Sequence, residues 1–201
     1  MEISAQMVGD LRAKTGAGLV DCKNALKETN GNVEAAIDIL RKKGVASAAK
    51  KADRNAGQGI IESYIHMGGK VGVMIELNCE TDFVGKTDDF HTLARDIAMH
   101  IAASSPVAVK REDIPQEVIE KEREIIKGQM ANDEKMSKKP ANVLEGIING
   151  KLEKVYSTLA LMEQPFVKNP DQTIKDLVTE KVAKLGENIV IRRFVRYQIG
   201  E

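Results

Sequence analysis

The chain has no tryptophan and only three tyrosines and four phenylalanines among its 201 residues. Rings that stack on nucleotide bases are therefore scarce, and the local basic cluster Lys42, Lys43, Lys50, Lys51 and Arg54 has none interleaved. Lysine plus arginine equals aspartate plus glutamate at 30 each, so the net basic footprint of a nucleic-acid binder is missing. No apolar run approaches bilayer length, and Met1-Glu2-Ile3-Ser4 is not the basic-then-apolar opening of a secretion signal. The expectation is a soluble, cytoplasmic protein with neither a membrane nor a direct nucleic-acid partner. Cys22 and Cys79 fall in no CxxC pattern and read as reduced thiols packed like small apolar residues. His66, His91 and His100 lack metal-ligand spacing, so no metal or other cofactor is expected.

Catalytic motifs are missing too. Gly16-Ala-Gly18 lies between helical patterns without a Gly-Lys-Ser/Thr ending, and no Gly-x-Ser-x-Gly elbow occurs. Glu117, Glu120, Glu122 and Glu124 sit on a charged helical stretch and read as a solvated face rather than as paired acids. The remaining candidates are a binding factor that changes its partner's state and a nucleic-acid or ribosome-associated binder.

What the chain does have is a strand pattern that breaks abruptly. Val71, Val73, Ile75, Leu77 and Cys79 alternate with Gly72, Glu76 and Asn78, the period of a half-buried strand. Phe90, Leu93, Ala94, Ile97 and Ile101 then follow helical spacing. Between them Thr81-Asp82-Phe83-Val84 sets a carboxylate beside one of the few aromatics, at a strand-to-helix turn. Phe83 either plugs the core beneath that turn or inserts into something else. Composition favours the plug.

Three domains of pattern follow. Residues 1–44 read as a three-helix bundle: Ser4 caps the first helix, Thr15-Gly16-Ala17-Gly18 and Asn30-Gly31 break the chain, and Gly44 suits a left-handed cap. Residues 45–57 read as a helical linker. Residues 58–201 read as an α+β core with a small antiparallel three-stranded sheet. Its hairpin turns at Met67-Gly68-Gly69-Lys70, and Ile189 to Ile199 supplies the last strand. Within it, about 113–163 predicts an antiparallel helical hairpin turning at Ser137-Lys-Lys-Pro140, its return helix seamed by Leu144, Ile148, Leu152, Val155 and Leu159.

Several of these segments resemble elongation factor Ts in family order. They are Val8-x-x-Leu11-Arg12-x-x-Thr15-Gly-Ala-Gly18-x-x-Asp21-Cys22-Lys23-x-Ala25-Leu26, Asn78-Cys-Glu-Thr-Asp-Phe-Val84, Asp96-Ile-Ala-Met-His100, Gln164-Pro-Phe-Val167 and Glu187-Asn-Ile-Val-Ile-Arg-Arg193. The resemblance implies a guanine-nucleotide exchange factor that binds elongation factor Tu, GDP-bound and nucleotide-free, without covalent chemistry of its own. It implies that Thr81, Asp82, Phe83 and Val84 contact the partner and dislodge its magnesium, which reverses the preference for a plugged Phe83. It implies a steric and hydrogen-bonding contact for His100, which the helical spacing sets at the border of the apolar stripe. It further implies an N-terminal ubiquitin-associated-like module docking through Leu11, Leu19 and Val20, and a short form that pairs as a homodimer. Leu19 and Val20 stand where relatives often carry methionines, and Gly85 where an alanine is expected. An adaptor built on the N-terminal module is the alternative reading.

Overall fold

A strand whose alternate residues are apolar must lay one face on a core, and Val73, Ile75, Leu77 and Cys79 are all buried. The computed structural model describes residues 3–133 and 139–201. That strand, β2 (Val71–Cys79), is the middle one of a three-stranded sheet, between β1 (Gln58–Ile65) and β5 (Val190–Gln198). The β1–β2 turn closes with His66 N–H donating to Val71 O at 2.9 Å, and Gly68 and Gly69 hold φ of 87° and 70°. Glycine takes such angles without the Cβ clash that other residues meet, so this dipeptide suits the hairpin turn. At the other end Gly59 has φ of 142°, and a Cβ there would lie 2.1 Å from Leu77 O. Any side chain at 59 would separate the two strands. Ile199 N–H donates to Lys70 O at 2.9 Å, so the end of β5 lies beside the start of β2 and the two run antiparallel.

The chain divides into two compact units: Met1–Ser63, Ile75–Asp96 and Lys175–Arg192 form one, and Tyr64–Met74, Ile97–Ile174 and Arg193–Glu201 the other. The first begins with α1 (Ala5–Thr15), α2 (Leu19–Glu28) and α3 (Val33–Ala49). Ser4 Oγ accepts from Met7 N–H and Asn32 Oδ1 from Ala35 N–H, satisfying helix-start donors that have no partner within the helix. Val8, Leu11, Cys22, Ala25, Leu26, Ala36 and Leu40 form the bundle's small core. Gly44 does not end the third helix. Alanines 46, 48 and 49 carry α3 on to Ala49, and Gly44 lies against Ala183, where an added Cβ would meet the alanine Cβ at 3.5 Å. A one-turn helix α4 (Asp82–Gly85) and the start of α5 (Asp88–Ser104) follow β2. Later in the same unit, α8 (Ile174–Leu185) places Lys181 and Lys184 on Asp89 at 3.3 and 2.7 Å. The Lys184 hydrogen bond is the largest influence holding the Asp89 carboxyl below its ordinary value, with Lys181 adding to it.

The second unit carries the helical hairpin. Its helices are α6 (Gln116–Ala131) and α7 (Ala141–Leu159), with Ile126, Met130, Ile148 and Leu152 buried along the seam. Arg123 bonds Asn149 and Glu145 in mid-hairpin, while Val118 and Ile119 at the start of α6 pack in one cluster with Tyr156 and Leu159 at the end of α7, so the helices run antiparallel. Ser137 and Lys138 of the expected turn lie outside the described residues. At the root Arg111 pairs with Glu153 and Glu163 and stacks 4.9 Å from the Tyr156 ring centroid. A second, two-stranded antiparallel sheet pairs β3 (Pro165–Phe166) with β4 (Asn169–Thr173), which the sequence reading does not anticipate. Two residues are too few to show a period, and a proline and an aspartate within β4 argue against a strand on propensity alone.

Candidate functional site: an exposed aromatic turn

The strand-to-helix connection is a single helical turn fastened on every side but one. Thr81 opens α4 in extended conformation, its Oγ1 accepting from Val84 N–H at 3.5 Å and its carbonyl from Gly85 N–H at 3.2 Å. From the far side Thr87 donates to Val84 O through both its hydroxyl (2.8 Å) and its backbone N–H (3.0 Å). Underneath, the Cys79 thiol donates to Thr81 O at 3.1 Å. Burial, and next the Glu187 charge, push that thiol's pKa up, so it stays a protonated donor. Glu187 then accepts three hydrogen bonds, from Glu80 N–H (3.1 Å), Thr81 N–H (3.0 Å) and Thr81 Oγ1 (2.5 Å).

On this fastened turn Phe83 is 87% exposed. The plug reading is overturned: the buried ring nearby in sequence is Phe90, at 0%. Leaving a phenylalanine in water forgoes about 1.5–3 kcal/mol of burial. Asp82 is exposed as well and is ion-paired with Lys86 one turn on. Gly85 is buried, and a Cβ at this position would meet Cys79 Sγ at 3.5 Å, an ordinary contact. An alanine therefore fits here, and glycine leaves the turn with more backbone freedom than the space requires.

His100 is not at the border of the apolar stripe but fully buried. Its ring is satisfied on both edges: Nε2 donates to Gln164 Oε1 at 2.8 Å and Nδ1 accepts from Val167 N–H at 3.3 Å. Burial pushes its pKa down against the opposing Gln164 bond, and the Val167 N–H aimed at Nδ1 assigns the proton to Nε2. Phe166 lies at a tilted 6.1 Å. The helical spacing could not show this, because both hydrogen-bond partners arrive from more than sixty residues away. His100 therefore organises the Gln164–Val167 segment.

Of the expected docking residues, Leu11 is 1% exposed and belongs to the bundle core, since helical spacing sets it beside Val8. Leu19 and Val20, at the opening of α2, are 53% and 72% exposed. The structure thus brings Thr81, Asp82, Phe83 and Val84 together on one turn and leaves Leu19 and Val20 as surface residues of the bundle. In the sequence Glu187 stands out only as the first residue of Glu187-Asn-Ile-Val-Ile-Arg-Arg193. Its hydrogen bonds to Glu80 and Thr81 span more than a hundred residues, and no local signal reveals them. Among the described residues no three His, Cys, Asp or Glu side chains are grouped to hold a metal, and no helix is long and apolar enough to cross a membrane.

These features define an α+β protein with a helical N-terminal module and a hydrogen-bonded turn that holds Phe83 outward. The family model for Elongation factor TS matches residues 23–201. The chain is 61% identical over 199 residues to the elongation factor Ts of Carboxydothermus hydrogenoformans, covering 99% of this chain and 90% of that protein. It is 59% identical to those of Thermodesulfovibrio yellowstonii, covering 100% and 98%, and Fervidobacterium nodosum, covering 100% of both. The chain belongs to the elongation factor Ts family, and so among the elongation factors of protein synthesis.

Proposed function

We propose that this chain promotes GDP/GTP exchange on elongation factor Tu by inserting the Phe83 turn into the GTPase. Family membership supports the exchange role. The observation that carries the mechanism is the 87% exposure of Phe83 on a turn held by Thr81, Thr87, Cys79 and Glu187. A guanine nucleotide is held by backbone amides around its phosphates and by a magnesium ion bridging phosphate to protein. A factor that binds the empty GTPase more tightly than the loaded one weakens the nucleotide by the same ratio, whether or not it touches it. A rigid ring suits that task, because little conformational freedom is lost when it enters a cleft. Phe83 is the wedge, displacing elements on the magnesium side of the pocket. Asp82 supplies polar contacts there once its bond to Lys86 is exchanged, and Thr81 and Val84 hold the turn. Leu19 and Val20 dock the N-terminal module. Buried His100 acts by shaping the Gln164–Val167 segment.

Stimulated GDP release from elongation factor Tu tests this reading. With Phe83→Ala the stimulated rate falls roughly tenfold or more, as for a central interface anchor. Equal stimulation by the variant sinks the wedge. A protein-binding adaptor would instead bind and leave the GDP off-rate unchanged.

A homodimer is the second part of the proposal. Ile65, Met67, Tyr197 and Ile199 are 66%, 89%, 72% and 75% exposed within the second unit, and Ile199 is hydrogen-bonded beside Lys70. Apolar strand ends of this kind suit a two-fold partner. Sedimentation across protein concentration reads the outcome: a species at twice the chain mass supports pairing, and a monomer throughout rejects it.

A further inference from the structure

Glu80 and Glu187 sit in segments that exchange hydrogen bonds. Glu187 accepts from the backbone of Glu80 and Thr81, and Glu80 in return accepts from Asn188 N–H at 2.6 Å. The Asn188 side chain, 6% exposed, donates to Ala52 O (3.2 Å) and Arg54 O (2.9 Å), and Arg54 lies 3.5 Å from Glu80. The loop after α8 thus ties the end of β2 to the segment that leads out of the N-terminal bundle. Thr81 is where this brace meets α4, because the hydroxyl that donates to Glu187 also accepts from Val84 N–H. Phe83 stands between Thr81 and Val84, and its direction follows from how those two are held.

We infer that Glu187 is a positioning residue for nucleotide exchange, aiming the Phe83 turn through Thr81 without itself meeting the GTPase. The inference rests on the wedge reading of Phe83. Charge-assisted bonds that a half-buried carboxylate accepts from three donors on one short segment are among the stronger local restraints a protein has. Freed of them, Thr81 samples other orientations, and the ring spends less time in the one that fits.

A double-mutant cycle on stimulated GDP release from elongation factor Tu tests this, with thermal unfolding run in parallel. Glu187→Ala lowers the stimulated rate roughly tenfold in the parent chain, yet changes it less than about twofold in the Phe83→Ala background, since a misaimed ring matters only if there is a ring. Glu187→Gln keeps an acceptor for the two backbone N–H groups and recovers to within about threefold of the parent. If Phe83→Ala alone exchanges normally, the wedge reading fails. If Phe83→Ala is impaired but Glu187→Ala matches the parent, the positioning inference alone fails. Equal fold-losses in both backgrounds also overturn it, because they assign Glu187 to general folding or to a contact of its own.

Discussion

Phe83 and Phe90 lie in successive helices, and the fold treats them oppositely. Phe90 enters α5 after a Thr87 hydroxyl that accepts its N–H, and its ring is wholly buried, as are Leu93 and Ala94 on the same helix. Phe83 sits on a turn that is itself hydrogen-bonded and has its ring in water. One ring contributes burial energy to the fold. The other forgoes it while the surrounding backbone is tied by hydrogen bonds, a combination that folding alone does not favour. Local order and side-chain burial are therefore separable, and a well-bonded but unburied aromatic marks a surface built to meet something.

Truncating each ring sharpens the contrast. Phe90→Ala lowers the free energy of unfolding by about 3–5 kcal/mol, the cost of a large buried ring and the cavity it leaves. Phe83→Ala leaves it within about 0.5 kcal/mol of the parent while impairing exchange. Denaturant titration of both variants checks the pair, and equal losses of stability would erase the distinction.

A smaller effect is expected from His100, the buried counterpart in the second unit. His100→Ala leaves Gln164 and Val167 short of a partner and costs about 1–3 kcal/mol. Burial holds the folded-state pKa below the ordinary 6.5, so between the two values the unfolded chain binds a proton that the folded one refuses. Stability is therefore full above the ordinary value and falls as pH drops through it toward the folded value. Unfolding midpoints measured across that window show the slope, and His100→Gln flattens it; an unchanged slope would assign it to other groups.

Smaller again, Leu19→Ala with Val20→Ala raises the concentration of factor needed for half-maximal stimulation by about fivefold, with the maximal rate kept. A lowered maximum at unchanged concentration dependence would place the two residues in the exchange step and not in docking. Least of all, Gly85→Ala raises stability by about 0.4–1 kcal/mol, because the position is helical and has room for a methyl group. A loss of stability in thermal unfolding would mean that the turn needs glycine.

Elements whose signal is local and repeated are legible in the sequence. Examples are the alternation through β2, the paired glycines of the hairpin, the Ser4 and Asn32 caps, and the Ile148–Leu152 seam of the second long helix. Gly44 reads as a helix end although α3 runs through it, because a glycine cap and a glycine in mid-helix look alike until the backbone angle is known. The site was half legible. An aromatic in a connection is conspicuous, but whether it faces in or out depends on how the turn is held, and the Cys79 thiol and the distant Glu187 hold it at Glu80 and Thr81. His100 and Glu187 were beyond reach for one reason: their partners lie far along the chain.

The most direct test is a structure of this chain bound to nucleotide-free elongation factor Tu. The account predicts that the Phe83 ring, 87% exposed in the free chain, is buried against the GTPase on the side where magnesium sits in the loaded form. A complex in which that ring remains in solvent would contradict it.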